Sequence, residues 1–174
     1  MSHWTDLAKW RGPTPNQGGP MRDHKGLVLH IAEGFFEGTI AWQKNPVAQV
    51  SSHFVVSREG EIAQIVDSDV IAWAQHAGNT EWLSVENEGF PPEKLTAAQI
   101  EANAQLLARA HQEYQVPLVV TDDPAQRGLG HHSMGREHGL DWGHDRCPGP
   151  AIVAQKGAIV ARAVEIGTPG SGSG

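Results

Sequence analysis

The sequence predicts an α/β fold, a single domain in which a central mixed β-sheet is flanked by helices. Three observations predict it. Short apolar runs of strand length alternate with longer stretches of helical spacing. A glycine-linked pair of β runs supplies an antiparallel pair, so the sheet is not purely parallel. The length, 174 residues, is that of one ordinary domain that buries a core without staples.

Each element has its own signal. Residues 1–25 are rich in Gly, Pro and Trp with little periodicity, and are read as an irregular N-terminal segment. The run Gly26-Leu27-Val28-Leu29-His30-Ile31 is apolar and bounded by turn residues, which predicts a buried strand. Thr39 to Lys44 fits a short helix ended by Asn45-Pro46. His53–Ser57 and Glu61–Val66 form the hairpin, turned at Arg58-Glu59-Gly60. Leu83 to Glu88 is a further strand, closed by Gly89 and Pro91-Pro92. The clearest helix runs from Thr96 to Tyr114, opening on the capping box Thr96-Ala97-Ala98-Gln99. Val116 to Thr121 reads as a strand, 122–147 as a long Gly- and His-rich loop, and Pro150 to Ile166 as a last helix. The end, 167–174, is linker-like. The folded unit is therefore expected over 26–166.

Composition narrows the function. A net charge of −7 and the lack of a basic stripe argue against a nucleic-acid partner. No apolar run approaches the roughly 20 residues needed to span a bilayer, so membrane insertion is not expected. The start, MSHWTDLAKWRG, lacks the layout of a secretion signal, which predicts synthesis in the cytoplasm. There are 10 histidines, 1 tyrosine and 1 cysteine, Cys147, in this chain. Histidine is the commonest metal ligand, so its placement directs the search. His30 lies in the first buried strand and needs a partner there. His131 and His132 sit in GLGHHSMG, and His144 and Cys147 in WGHDRCPGP. Two imidazoles and a thiolate are an allowed set for a zinc site with one open position. A helix start after Cys147 and a bound cation are both expected to favour the thiolate.

LVLHIAEG, QVSSHFVVSREGEIAQIVD, AWAQHAGN, LSVENEG, LTAAQIEANAQLLA, GLGHHSMG and WGHDRCPGPAI, taken together and in this order, resemble the type 2 N-acetylmuramoyl-L-alanine amidases. That family includes phage endolysin domains and peptidoglycan recognition proteins. The resemblance covers roughly residues 25–165 and implies a mixed sheet with Zn²⁺ at one edge. It implies that His30, His132 and Cys147 hold the metal, with His131 open as the alternative second ligand. It places the acid/base residue on Glu86, with Glu88 on the same strand face by alternation and so also in question, and an oxyanion-stabilising residue on His144. It sets His76 and Asn79 where the glycan or stem peptide is contacted. Some members use a tyrosine at the position of Ser52, and its replacement here shifts the load towards Glu86.

The resemblance thus implies a zinc-dependent, cell-wall lytic amidase of bacterial peptidoglycan that acts as a monomer. Such an enzyme reaches the wall by release through a holin-type or other export route. The rival readings are a recognition module that binds without cutting, and a zinc hydrolase of a different amide.

Overall fold

The structure, a computed structural model, describes residues 2–167. Its elements in chain order are β1 (Lys9–Trp10), β2 (Gln17–Pro20), β3 (Gly26–Ile31), α1 (Phe36–Gln43), β4 (Phe54–Val56), β5 (Ile62–Gln64), β6 (Val70–Ala72), β7 (Trp82–Asn87), α2 (Ala97–Tyr114), β8 (Gly128–His131), α3 (Met134–Glu137), α4 (Pro150–Val153) and α5 (Lys156–Gly167). Six strands form one sheet in the order β1-β5-β4-β7-β3-β8, and β2 and β6 form a separate antiparallel pair. Within the large sheet only β4 and β5 run antiparallel, as the hairpin requires.

Every residue of β3 is buried, because the strand lies inside the sheet and both faces are covered. Alternation divides its side chains. Leu27, Leu29 and Ile31 join Leu83 and Val85 of β7 in the main core, under Ala104 and Leu107 of α2 and Ile159 of α5. Val28 points the other way, to Trp82, Met134 and Trp142. His30 shares that second face by the same period of two. The capping box is realised: Thr96 Oγ1 accepts from Gln99 N–H at 3.1 Å, and Gln99 Oε1 accepts from Thr96 N–H at 3.0 Å. Among the described residues, no helix is long and apolar enough to cross a membrane.

Four expectations need correction. The N-terminal segment is not irregular throughout, since β1 pairs with β5 and β2 with β6. Trp4 is 1 % exposed and stacks on Phe54, with the Arg109 guanidinium 5.8 Å from its ring. Residues 116–121 make one isolated bridge, Val120 to Leu129, instead of a strand. Pro117 has no N–H to offer a ladder there. The long loop contains β8 and α3, whose glycines hid them from any periodicity. A Cβ on Gly26 would lie 1.7 Å from the Gly128 carbonyl, and one on Gly135 would lie 2.1 Å from the Trp142 ring. The last helix is broken into α4 and α5, where the Gln155 side chain bonds both backbone groups of Leu95. The linker reading of 167–174 lies outside the described residues, apart from Gly167 at the end of α5.

Two expectations about stability follow. Trp4→Ala should cost ~3–5 kcal/mol, as for other fully buried large aromatics. A loss below ~1 kcal/mol in denaturant unfolding would show that the N-terminal segment lies outside the cooperative unit. His53 is fully buried: Nε2–H donates to the Val70 carbonyl at 2.9 Å, and Nδ1 accepts the Ser84 N–H at 3.0 Å. Burial pushes its pKa down to about 4. Between about 6.5 and 4 the unfolded chain therefore binds the proton and the folded chain does not. Stability should fall as the pH drops through that window. In His53→Gln the slope near pH 5 should be shallower by about 1.4 kcal/mol per pH unit. An unchanged slope in urea titrations would refute this.

Candidate metal centre and active site

The second face of the sheet gathers its polar side chains at the C-terminal ends of three parallel strands, where ligands sit in open α/β sheets. The parallel register pairs His30 of β3 with Glu86 of β7. His132 follows β8 directly, and its N–H donates to the Leu29 carbonyl at 3.2 Å. Cys147 arrives from the loop before α4. Its carbonyl accepts Ser133 N–H at 2.8 Å, and its Sγ accepts Ile31 N–H at 3.5 Å. One ligand atom from each of His30, His132 and Cys147 lies within 4.8 Å of the others.

Hydrogen bonds select which nitrogen faces this centre. Gln75 Nε2 donates to the Trp82 carbonyl at 3.2 Å, which turns Gln75 Oε1 towards His30 Nε2 at 3.1 Å. A carbonyl oxygen only accepts, so His30 Nε2 carries the proton and Nδ1 the lone pair. His132 repeats the pattern, with Nε2 bonded to the Trp142 carbonyl. Its Nδ1 is buried without a partner among the described residues. Burial holds His30 well below the ordinary imidazole range, with His132 adding to the effect. Burial also brings His132 down to about 4, partly offset by the Trp142 carbonyl. Both rings are therefore neutral donors near neutral pH.

His131 is excluded from the cluster by the same reasoning. Its Nδ1 receives a hydrogen bond from Lys156 Nζ at 2.9 Å, and its Nε2 lies 3.4 Å from a Glu137 oxygen. Lysine cannot accept, so the Nδ1 lone pair of His131 is already used. Neighbouring residues of an extended segment point to opposite faces. Here one faces Lys156 and the other faces the centre.

Glu86 stands beside the cluster, one carboxylate oxygen 3.8 Å from His30 Nδ1. Its other oxygen is buried without a partner. Burial first, and the Glu33 carboxylate second, push its pKa up to about 7. The Cys147 thiol is pushed up, first by burial and then by Glu86. This corrects the expected depression: α4 has four residues, too short to supply a helix-start field, and the thiolate depends on a cation.

These groups line a cavity of ≈ 440 Å³. His144 lines it too, with its ring 5.5 Å from that of His132. His76 and Asn79 do not; Trp73 and Ala74 line it instead. The His76 side chain is 66 % exposed and 3.4 Å from Asp141. Asn79 Oδ1 accepts the N–H groups of Ala74 and Gln75 at 2.9 and 2.6 Å, so this asparagine shapes the loop that carries Gln75. Ser52 bonds inward to Gln43 and Phe54. Glu88 is bonded to the Arg58 N–H. Gln75, Glu33 and Trp73 were not anticipated. AWAQHAGN held Gln75 next to the more conspicuous His76, and only the fold shows which of the two turns inward.

Fold and cluster together define an α/β domain with a candidate metal-binding cleft at its strand ends. The family model described as N-acetylmuramoyl-L-alanine amidase matches residues 20–150, and the chain belongs to that family. N-acetylmuramoyl-L-alanine amidase A of Achromobacter lyticus is 32 % identical over 83 residues, covering 46 % of this chain and 47 % of that protein. The match thus spans about half the length of that relative. The crystal structure of the Staphylococcus aureus hydrolase AmiA in complex with its ligand superposes with a TM-score of 0.75 at 15 % identity, over 92 % of this chain and 85 % of the other. Drosophila peptidoglycan recognition protein SD superposes with a TM-score of 0.60 at 15 % identity, over 84 % and 92 %. At such identities these two likenesses concern the fold alone.

Because Gln75 orients His30, a divalent ion such as Zn²⁺ offered to the cluster should bind about 10–100-fold more weakly to Gln75→Leu than to the parent. Competition against a chromogenic chelator measures this. An affinity within a factor of two of the parent would remove Gln75 from the centre.

Proposed function

We propose that this chain is a zinc-dependent N-acetylmuramoyl-L-alanine amidase that hydrolyses the lactyl–L-alanine amide of bacterial peptidoglycan. The observation that carries the reading is the convergence of His30, His132 and Cys147 beside a carboxylic acid poised near neutrality. The donor set fits zinc: two neutral imidazoles and a thiol, with a buried, unpartnered nitrogen on His132. Zinc, when held by these three residues, supplies Lewis-acid polarisation and stabilises the Cys147 thiolate.

The remaining chemistry belongs to the chain. Glu86, with a pKa of about 7, takes the proton from the attacking water as the lactyl carbonyl becomes tetrahedral. It then delivers that proton to the amine of the leaving L-alanine. His144, at the cavity wall, donates to the developing oxyanion. Gln75 and the Trp142 carbonyl keep both histidines in the ligating tautomer throughout. On this reading the chain acts as a monomeric, endolysin-like lytic domain that reaches the wall after release from the cell.

Binding without cutting is the second reading, favoured by the likeness to a peptidoglycan recognition protein. Cys147 and Glu86 weigh against it, because a pure binding site has no use for a buried acid beside a ligand cluster.

Glu86→Gln should keep one zinc per chain and lose about 10²–10⁴ in kcat. The readout is release of L-alanine amino termini from purified walls, with zinc counted by atomic absorption. Unimpaired release by this variant would sink the acid/base assignment, and no release by the parent would leave the binding reading standing.

A further inference from the structure

The cavity beside the cluster has an uneven charge. Of its lining residues, Glu33 and Glu86 are the carboxylates, and none of the described lining residues is Lys or Arg. Glu86 is assigned to proton transfer, which leaves Glu33 without a role. It occupies the loop directly after β3, one turn of chain past His30. Its backbone is left-handed, with φ at 51°. A residue with a Cβ pays roughly 1–2 kcal/mol to sit there, and such outliers gather at ligand sites. The side chain is exposed to the cavity and makes no hydrogen bond or ion pair with the other described residues. It lines the same cavity as Glu86 and Cys147.

The neighbouring wall offers neutral donors but no charge to balance the carboxylates: Phe35 and Trp42 are 67 % and 53 % exposed, and the indole N–H of Trp42 is uncharged. His144 could receive an anion, but it sits over His132 at the cluster, where the scissile carbonyl must lie. Where a ligand carboxylate a residue or two from the scissile bond enters this part of the cavity, it meets Glu33 with no Lys or Arg among the described lining residues to balance it. A carboxamide at the same place could donate to Glu33 instead. Discrimination of this kind works by repelling the wrong partner as much as by attracting the right one.

We infer that Glu33 makes the cavity select leaving peptides whose carboxyl group nearest the scissile amide, that of the second residue, is masked as an amide. This rests on the amidase reading and names its substrate class more closely.

The test uses the full chain loaded with zinc and two N-acetylmuramoyl peptides. They differ only in the second residue, which carries a free α-carboxyl in one and a carboxamide in the other. At low salt, kcat/KM should favour the amide by about five- to tenfold, the size of one like-charge contact across water. Glu33→Gln should bring the ratio towards one by raising the rate on the acid. About 1 M salt, where the screening length falls to about 3 Å, should do the same to the parent protein. Equal rates on the two peptides, or a ratio that Glu33→Gln leaves in place, would overturn the inference and spare the amidase reading. Failure to cut either peptide would overturn both.

Discussion

The parallel pairing of β3 between β7 and β8 is the constraint on which the site depends. Its register sets His30 opposite Glu86 and delivers the chain to His132 one residue beyond β8. Shifting β3 by one residue would turn His30 into the apolar face, away from His132 and Cys147. The sheet therefore has to be specified strongly, and it is. Leu27, Leu29, Leu83, Val85 and Leu129 are all fully buried against α2 and α5. The apolar face thus carries the stability, and the opposite face is left free to hold neutral histidines and a desolvated acid.

That polar face departs from what burial alone would choose. Two imidazoles, a carboxyl and a thiol are all shifted towards their neutral forms, with desolvation the largest cause in each. Uncharged, they can share a small space without repulsion. A divalent cation reverses the preference at the thiol while using the lone pairs that neutrality preserves on the histidines. The same desolvation that would weaken a surface acid gives Glu86 a pKa near the pH at which it must both take and return a proton.

The parts of this design that repeat with a period were legible in the sequence. β3, β7 and α2 declare themselves by apolar runs, alternation and a capping box, and the structure places them within one or two residues of expectation. His30, His132, Cys147 and Glu86 were legible as residue types in recurring motifs, and the structure brings them to one cavity. What could not be read depends on contacts distant in sequence. β8 is Gly-Leu-Gly-His, two glycines demanded by close approach and no apolar rhythm to betray a strand. Trp4 gains its place only because β5 exists to receive β1. Asn79 closes a turn, and Gln75, for which the sequence carries no expectation, orients the ring of His30.

The choice between the two adjacent histidines shows how far the site is fixed from behind. Lys156 is 2 % exposed, yet its ammonium has three partners: the Thr121 carbonyl, the Asp122 carboxylate and His131 Nδ1. A buried charge tolerates no vacancy among such partners. His131 is thereby bound to its own face of the chain, and Glu137, which takes up the other end of its ring, also accepts from Ser133 at 2.8 Å. Ser133 in turn donates its N–H to the Cys147 carbonyl. One connected set of bonds thus runs from a lysine in α5 through His131 to the backbone that presents His132 and Cys147. Lys156 shares the inward helical face of Ile159 and Ala163, and that spacing turns it towards His131 to complete the set.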